Sequence, residues 1–208
     1  MSTYRVKSIF GPTLQGEGTH AGRVVTFLRL AGCNRWTGLE KHREQSICKF
    51  CDTDFRGGEP MTAAEIVDRL ERQSPVRCVV ISGGEPTLQI DYELLSAIQQ
   101  AGFEIHLETN GSNALGELRQ FINHITMSPK QPIDQCKLEY AEDIKLLYPP
   151  IHPEITLEKF DSFMTNNRYL QPVWDKDYQA NLKATICRVL GNPDWKLSLQ
   201  THKIVGVE

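Results

Sequence analysis

VRCVVISGGEPTLQIDYELLSAIQQAGFEIHLETNG, residues 76–111, reads as one strand-helix-strand unit with both of its turns. The apolar, β-branched run VRCVVIS (76–82) stops at Gly83-Gly84-Glu85-Pro86, and FEIHLE (103–108) stops at Thr109-Asn110-Gly111. Between them, residues 91–101 carry helical spacing closed by Gly102. Two strands joined through a helix favour a right-handed crossover and parallel pairing.

The same punctuation recurs on both sides of this unit. VVTFLRL (24–30), HITMS (124–128), DIKLLY (143–148), RYLQPV (168–173) and WKLSLQ (195–200) read as strands. Helical patterns lie at 62–73, opened by the capping box Thr62-x-x-Glu65, and at 114–121, 156–166 and 177–190, the last closed by Gly191. About six β-α units result. The fold class is therefore α/β, with a mostly parallel sheet that is either doubly wound or curved into a partial, modified (β/α) barrel. No linker, repeat or low-complexity tract interrupts the pattern, so residues 1–208 are expected to form one domain. Within it, 1–31 supply the N-terminal segment and first strands, 32–60 an irregular polar loop, and 61–208 the remaining units and the tail. A loop as long as 32–60 in a compact domain is usually functional.

Composition narrows the function classes. The chain has 208 residues, 40% of them hydrophobic and 24% charged, and no apolar run approaches the length needed to span a bilayer. A net charge of -3, with basic residues scattered among acids, argues against a nucleic-acid surface. The N-terminus shows no export or transit pattern, which makes the cytoplasm the expected compartment. In that compartment six cysteines suit ligands or buried thiols better than a disulfide framework.

Residues with chemistry follow the strands: Cys33, the GGEP turn, Thr109-Asn110-Gly111, Pro129-Lys130 and Trp174-Asp175. In a parallel sheet these points gather at the carboxyl ends of the strands, where α/β folds place their sites. Any one such loop is ordinary; five together are not. Among the cysteines, Cys33 is followed after fourteen residues by Cys48 and after two more by Cys51. Three thiolates could hold a 4Fe-4S cluster with one iron open, or, with His42, a Cys3His zinc site, and spacing alone does not choose between them. Cys78 in a strand and Cys187 in an amphipathic helix read as inert buried thiols, while Cys136 is left open.

Taken together, the cysteine spacing, CDTDF (51–55), GGEPTLQ (83–89), LETNG (107–111), SPK (128–130), the N-terminal TLQGEG (13–18) and the C-terminal LSLQTHK (197–203) resemble the 7-carboxy-7-deazaguanine synthase family of radical S-adenosylmethionine enzymes. The resemblance covers essentially the whole chain. The fourteen-residue first spacer departs from the three-residue one usual in the superfamily and matches a subset of this family.

This resemblance implies an incomplete β/α barrel of the radical S-adenosylmethionine type, homodimeric in known relatives. It implies a 4Fe-4S cluster, S-adenosylmethionine and Mg2+ as cofactors. The implied reaction contracts 6-carboxy-5,6,7,8-tetrahydropterin to 7-carboxy-7-deazaguanine with loss of ammonia, and a flavodoxin or ferredoxin is the implied type of electron donor.

Carried onto these positions, the resemblance gives Cys33, Cys48 and Cys51 to the cluster and Thr53 to magnesium. It gives Phe50, Cys51, Asp52, Gly84, Glu108, Ser128, Pro129, Lys130, Gln171, Pro172, Val173 and Trp174 to S-adenosylmethionine. The substrate residues would be Leu14, Gln15, Gly16, Glu17, Arg29 and Ser82, with the chain terminus at Glu208. Arg29 also stands out on its own. An arginine inside FLRLAG is hard to bury without a partner, and its rigid fork suits a carboxylate.

Overall fold

A computed structural model describes residues 2–207. Among them, nine strands form one sheet: β1 (Tyr4–Leu14), β2 (Val24–Leu30), β3 (Glu59–Met61), β4 (Cys78–Gly83), β5 (Glu104–Thr109), β6 (His124–Met127), β7 (Tyr140–Tyr148), β8 (Met164–Pro172) and β9 (Trp195–Leu197). Their order is β3-β1-β2-β4-β5-β6-β7-β8-β9. From β2 through β9 every neighbouring pair is parallel, while β1 runs antiparallel to both β2 and β3. The sheet does not close on itself, as the resemblance implies.

Alternation along the strands gives the sheet two unlike faces. Val79, Ile81, Ile105, Leu107, Ile125, Ile144 and Leu146 join one core with Ile66 and Leu70 of α1 (Ala63–Gln73) and Leu94, Leu95 and Ile98 of α2 (Tyr92–Gln100). Thr62 and Glu65 form the capping box on α1, and Asp91 caps α2 by accepting the Leu94 N–H. The other face carries Ser82, Glu104, His106, Glu108, Asp143, Lys145 and Gln171, residues one step out of phase with the core set.

The β1–β2 connection folds across that polar face. Thr19 donates to Asp143 through its N–H (3.0 Å) and its hydroxyl (2.8 Å), and the His20 ring lies 4.4 Å from those of both His106 and His124. Arg23 pairs with Glu104. These contacts fill one end of the polar face and leave the carboxyl ends of the strands open.

The expected strands and the helices α1, α2 and α3 (Tyr178–Leu190) are present. Four local expectations are corrected. The strands read from sequence begin at 24 and leave out β1, whose Gly11-Pro12 sits at a register shift on an antiparallel strand near the sheet edge, where a proline is tolerated. The region 114–121 is a 3-10 helix over Gly116–Phe121 rather than an α-helix. Residues 156–163 are turns, and β8 begins at Met164, because pairing with β7 along eight positions outweighs the weak helical spacing. Cys187 is exposed rather than buried.

Candidate active site

Contacts within the protein fix the loop that carries Cys33. The Glu85 N–H donates to Gly32 O (2.9 Å), seating the GGEP turn on the backbone just before Cys33. A Cβ on Gly84 would lie 2.2 Å from Gly32 O and 2.7 Å from the Cys33 Cβ, so only glycine permits this approach. The Glu85 carboxylate is buried and accepts from Thr87, from the Thr109 hydroxyl (2.7 Å) and from the Asn110 N–H (2.7 Å). Asn110 in turn donates to Asn34 (3.0 Å). Three strand-end loops are thereby fixed to one another around Cys33.

Cys33, Cys48 and Cys51 are free thiols lining a cavity of about 230 Å³. Burial pushes the Cys48 thiol up to about 11, against the pull of the Lys130 and Arg35 charges, and raises Cys51 as well. A metal bound by Cys48 and Cys51 would have to displace their protons. His42 lies outside the cavity, with Nδ1 2.8 Å from the Thr37 hydroxyl. A tetrahedral zinc would draw thiolates to within about 4 Å of one another, but the three sulfurs do not share so tight a group. Two donors in the next residues have no acceptor among the described residues: the Arg35 Nε and the Trp36 Nε1, both buried. Three thiols, unspent donors and a preassembled loop suit a bulky anionic sulfur cluster, with its ligands on separate irons, better than zinc.

Phe50, Asp52, Gly84, Glu108, Ser128, Lys130, Gln171 and Trp174 line the same cavity. Pro129, Pro172 and Val173 do not; Pro129 and Val173 are buried, and the Val173 N–H is bonded to Tyr148 O (2.9 Å). The Lys130 ammonium donates to Ser128 O and Oγ, and burial pushes its pKa down.

A second cavity, about 390 Å³, adjoins the first through Glu17, Thr53, Ser82 and Glu108. Leu14, Gln15 and Arg29 line it, as do Phe10, Phe27 and His202. Arg29 stacks over Phe10, 5.0 Å from the ring centroid, and its guanidinium has no hydrogen bond or ion pair among the described residues. Gly16 lines neither cavity. Instead its carbonyl accepts from the Thr201 N–H and hydroxyl, both 3.0 Å, at the start of α4 (Thr201–Val205). Glu208 lies outside the described residues.

Between the cavities lies Lys145, paired with Glu17 and 3.2 Å from Glu108. Burial opposes its charge, but Glu108 and Glu17 outweigh that and hold it protonated. Burial also works against the Glu17 carboxylate, yet Lys145 and the Gln200 amide (2.7 Å) keep it ionised, near 2. Glu108 has weaker partners, Gln15 at 3.3 Å and the shared lysine, and burial raises its pKa. Lys203 of α4 pairs with Asp52 and sits over the Trp174 ring, bridging the C-terminal segment to the cluster loop.

Sequence reasoning missed Lys145, Arg35, Gln200 and Lys203. Lys145 had a signal, since a lysine inside DIKLLY is as hard to bury as Arg29 in FLRLAG. The others emerge only when loops distant in sequence meet. Cys78 is buried and Cys136 half-buried, both away from the two cavities.

Residues 44–171 match the model of the Radical SAM superfamily; the match includes Cys48 and Cys51 and begins after Cys33. The chain is 40% identical over 215 residues to the 7-carboxy-7-deazaguanine synthase of Bradyrhizobium diazoefficiens, covering 99% of each. It is 38% identical to that of Caulobacter vibrioides, again over 99% of each chain. Its fold is similar to the crystal structure of QueE from Escherichia coli, with a TM-score of 0.68 at 22% identity over 95% of this chain and 93% of the other.

Proposed function

The chain belongs to the 7-carboxy-7-deazaguanine synthase family of radical S-adenosylmethionine enzymes, and from that premise we propose how its two cavities divide the reaction. It is a carbon-nitrogen lyase of the queuosine pathway that converts 6-carboxy-5,6,7,8-tetrahydropterin to 7-carboxy-7-deazaguanine with loss of ammonia. It uses a 4Fe-4S cluster, S-adenosylmethionine and Mg2+. The observation that carries the division of labour is the shared wall: a cavity with three cysteines opens beside one with an unpaired arginine.

In this reading Cys33, Cys48 and Cys51 hold the cluster. S-adenosylmethionine lies along Phe50, Asp52, Gly84, Glu108, Ser128, Lys130, Gln171 and Trp174, with Pro129, Pro172 and Val173 shaping the backbone behind them. Held by these residues, the cluster and S-adenosylmethionine would supply the radical chemistry that the ring contraction needs.

The chain's own residues position that encounter. Arg29 grips the substrate carboxylate with a fork that no described residue occupies. Leu14 and Gln15 meet the donor-acceptor edge of the pterin, Ser82 faces it from the GGEP side, and Gly16 keeps the C-terminal segment close. Glu17, fixed by Lys145 and Gln200, offers an ionised carboxylate to ring N–H groups. Thr53, on the wall between the cavities, would offer a hydroxyl oxygen to magnesium, a hard ion that prefers oxygen ligands. The Lys203–Asp52 pair stands at the edge of the first cavity and ties the C-terminal segment to the cluster loop.

We extend the reading to a single-domain homodimer working in the cytoplasm with a flavodoxin or ferredoxin as donor. No helix of the described residues is long and apolar enough to cross a membrane. Anaerobic reconstitution with iron and sulfide tests the site. The wild-type chain should gain a brown, chelator-resistant chromophore that Cys48→Ala lacks; a colourless protein holding one tightly bound zinc would refute the assignment.

A further inference from the structure

Arg35 is a cation in the first cavity that no acidic group among the described residues answers. Its Nε is buried without a hydrogen-bond partner, and among the described residues its guanidinium makes no ion pair. Neighbouring cations are all engaged: Arg43 with Glu40, Lys203 with Asp52, Lys145 with two glutamates, and Lys130 with Ser128. Holding a partly buried charge without a counter-ion is unfavourable, so such a group is retained where an anion arrives.

Position identifies the anion. Arg35 stands two residues after Cys33, and its backbone N–H already donates to the Cys33 Sγ at 3.4 Å. A 4Fe-4S cluster bound by three thiolates carries one net negative charge when oxidised and two when reduced. A nearby fixed cation therefore favours the reduced state, since cluster potentials follow net charge, hydrogen bonds to sulfur and solvent exposure.

We propose that Arg35 sets the reduction potential of the cluster by stabilising its one-electron-reduced state. The proposal rests on the cluster assignment above. In the step concerned, a low-potential one-electron reductant loses an electron and the cluster gains it; no bond forms or breaks. Arg35 is a positioning residue for charge, with no contact to reacting carbon or nitrogen required.

The test is a potentiometric titration, read by electron paramagnetic resonance of the reduced cluster, on anaerobically reconstituted wild type, Arg35→Met and Arg35→Lys without S-adenosylmethionine. Arg35→Met should lower the reduced-to-oxidised ratio at fixed poise about tenfold, a shift of about 59 mV to more negative potential for a one-electron couple. Arg35→Lys, which keeps the charge, should stay near wild type. If Arg35→Met does not take up iron, Arg35→Gln carries the same comparison. An iron-loaded, charge-neutral variant that titrates at the wild-type potential overturns the proposal, as does a Lys variant shifted as far as Met. Unchanged potential with weakened S-adenosylmethionine binding also overturns it, assigning Arg35 to the cofactor instead. A wild type that assembles no cluster removes the underlying assignment, an outcome distinct from these.

Discussion

A Cβ added to Gly16 would lie 1.9 Å from the Nδ1 of His202, so the N-terminal TLQGEG and the C-terminal LQTHK are packed together with no room for a side chain. The contact joins residues 186 positions apart in the chain and closes one side of the second cavity. It explains why a glycine stands between Gln15 and Glu17, both of which face ligand space while Gly16 does not.

Gly16→Ala should therefore push α4 outward. Overpacking of this kind costs about 1–3 kcal/mol. The expected kinetic signature is a raised KM for the pterin with cluster content unchanged; steady-state kinetics beside iron analysis decides it, and an unaltered KM would count against the contact.

Lys145→Met leaves two half-buried carboxylates, Glu17 and Glu108, without their shared cation. Because both keep some contact with water, the loss should be about 2 kcal/mol, below that of a fully buried pair. Chemical denaturation should show this loss, and adding Glu17→Gln to the same chain should recover part of it, because one uncompensated charge is then removed. Strictly additive losses would mean the two residues are not coupled.

Arg29→Met should weaken pterin binding by about 10- to 100-fold, the range for a lost charge-assisted hydrogen bond. The cluster spectrum should not change. Arg29→Lys should recover only part of the affinity, since an ammonium cannot form the bidentate fork. Binding measured by calorimetry under anaerobic conditions separates these outcomes.

Acid should weaken the fold through Asp143. Burial alone would raise its pKa, but His124, 3.2 Å away, and two bonds from Thr19 outweigh that and bring it from 3.8 to about 2. A carboxyl depressed in the folded state stabilises above its unfolded pKa, and that stability is lost as pH falls through the window from about 4 to 2. Asp143→Asn should thus cost up to about 2 kcal/mol at neutral pH. Its difference from wild type should shrink steadily across the acid window in urea titrations; a pH-independent difference would contradict the linkage.

The parallel strands were legible because each is a compact apolar run ended by glycine, proline or asparagine, and the strand-end position of the site followed from that order. Cys33, Cys48, Cys51, Gly84, Lys130 and Arg29 were visible as residue types that loops and strands rarely hold without a reason. Strand β1 was hidden by Gly11-Pro12, and the turns at 156–163 imitate a helix by spacing their buried residues at Leu157, Phe160 and Phe163. Glu85 looked like one more residue of a turn, yet its buried carboxylate fastens two loops through long-range bonds that no local pattern encodes. The isolation of Arg35 could not be read either, since a free charge is defined by what does not surround it.

The most direct measurement is anaerobic turnover of the reconstituted chain with a one-electron reductant, S-adenosylmethionine and 6-carboxy-5,6,7,8-tetrahydropterin, with products followed by mass spectrometry. Wild type should release 7-carboxy-7-deazaguanine, and Cys48→Ala should release none. A fully loaded wild type that cleaves S-adenosylmethionine to 5'-deoxyadenosine but returns the pterin without ring contraction would contradict the assignment of the second cavity and of the reaction itself.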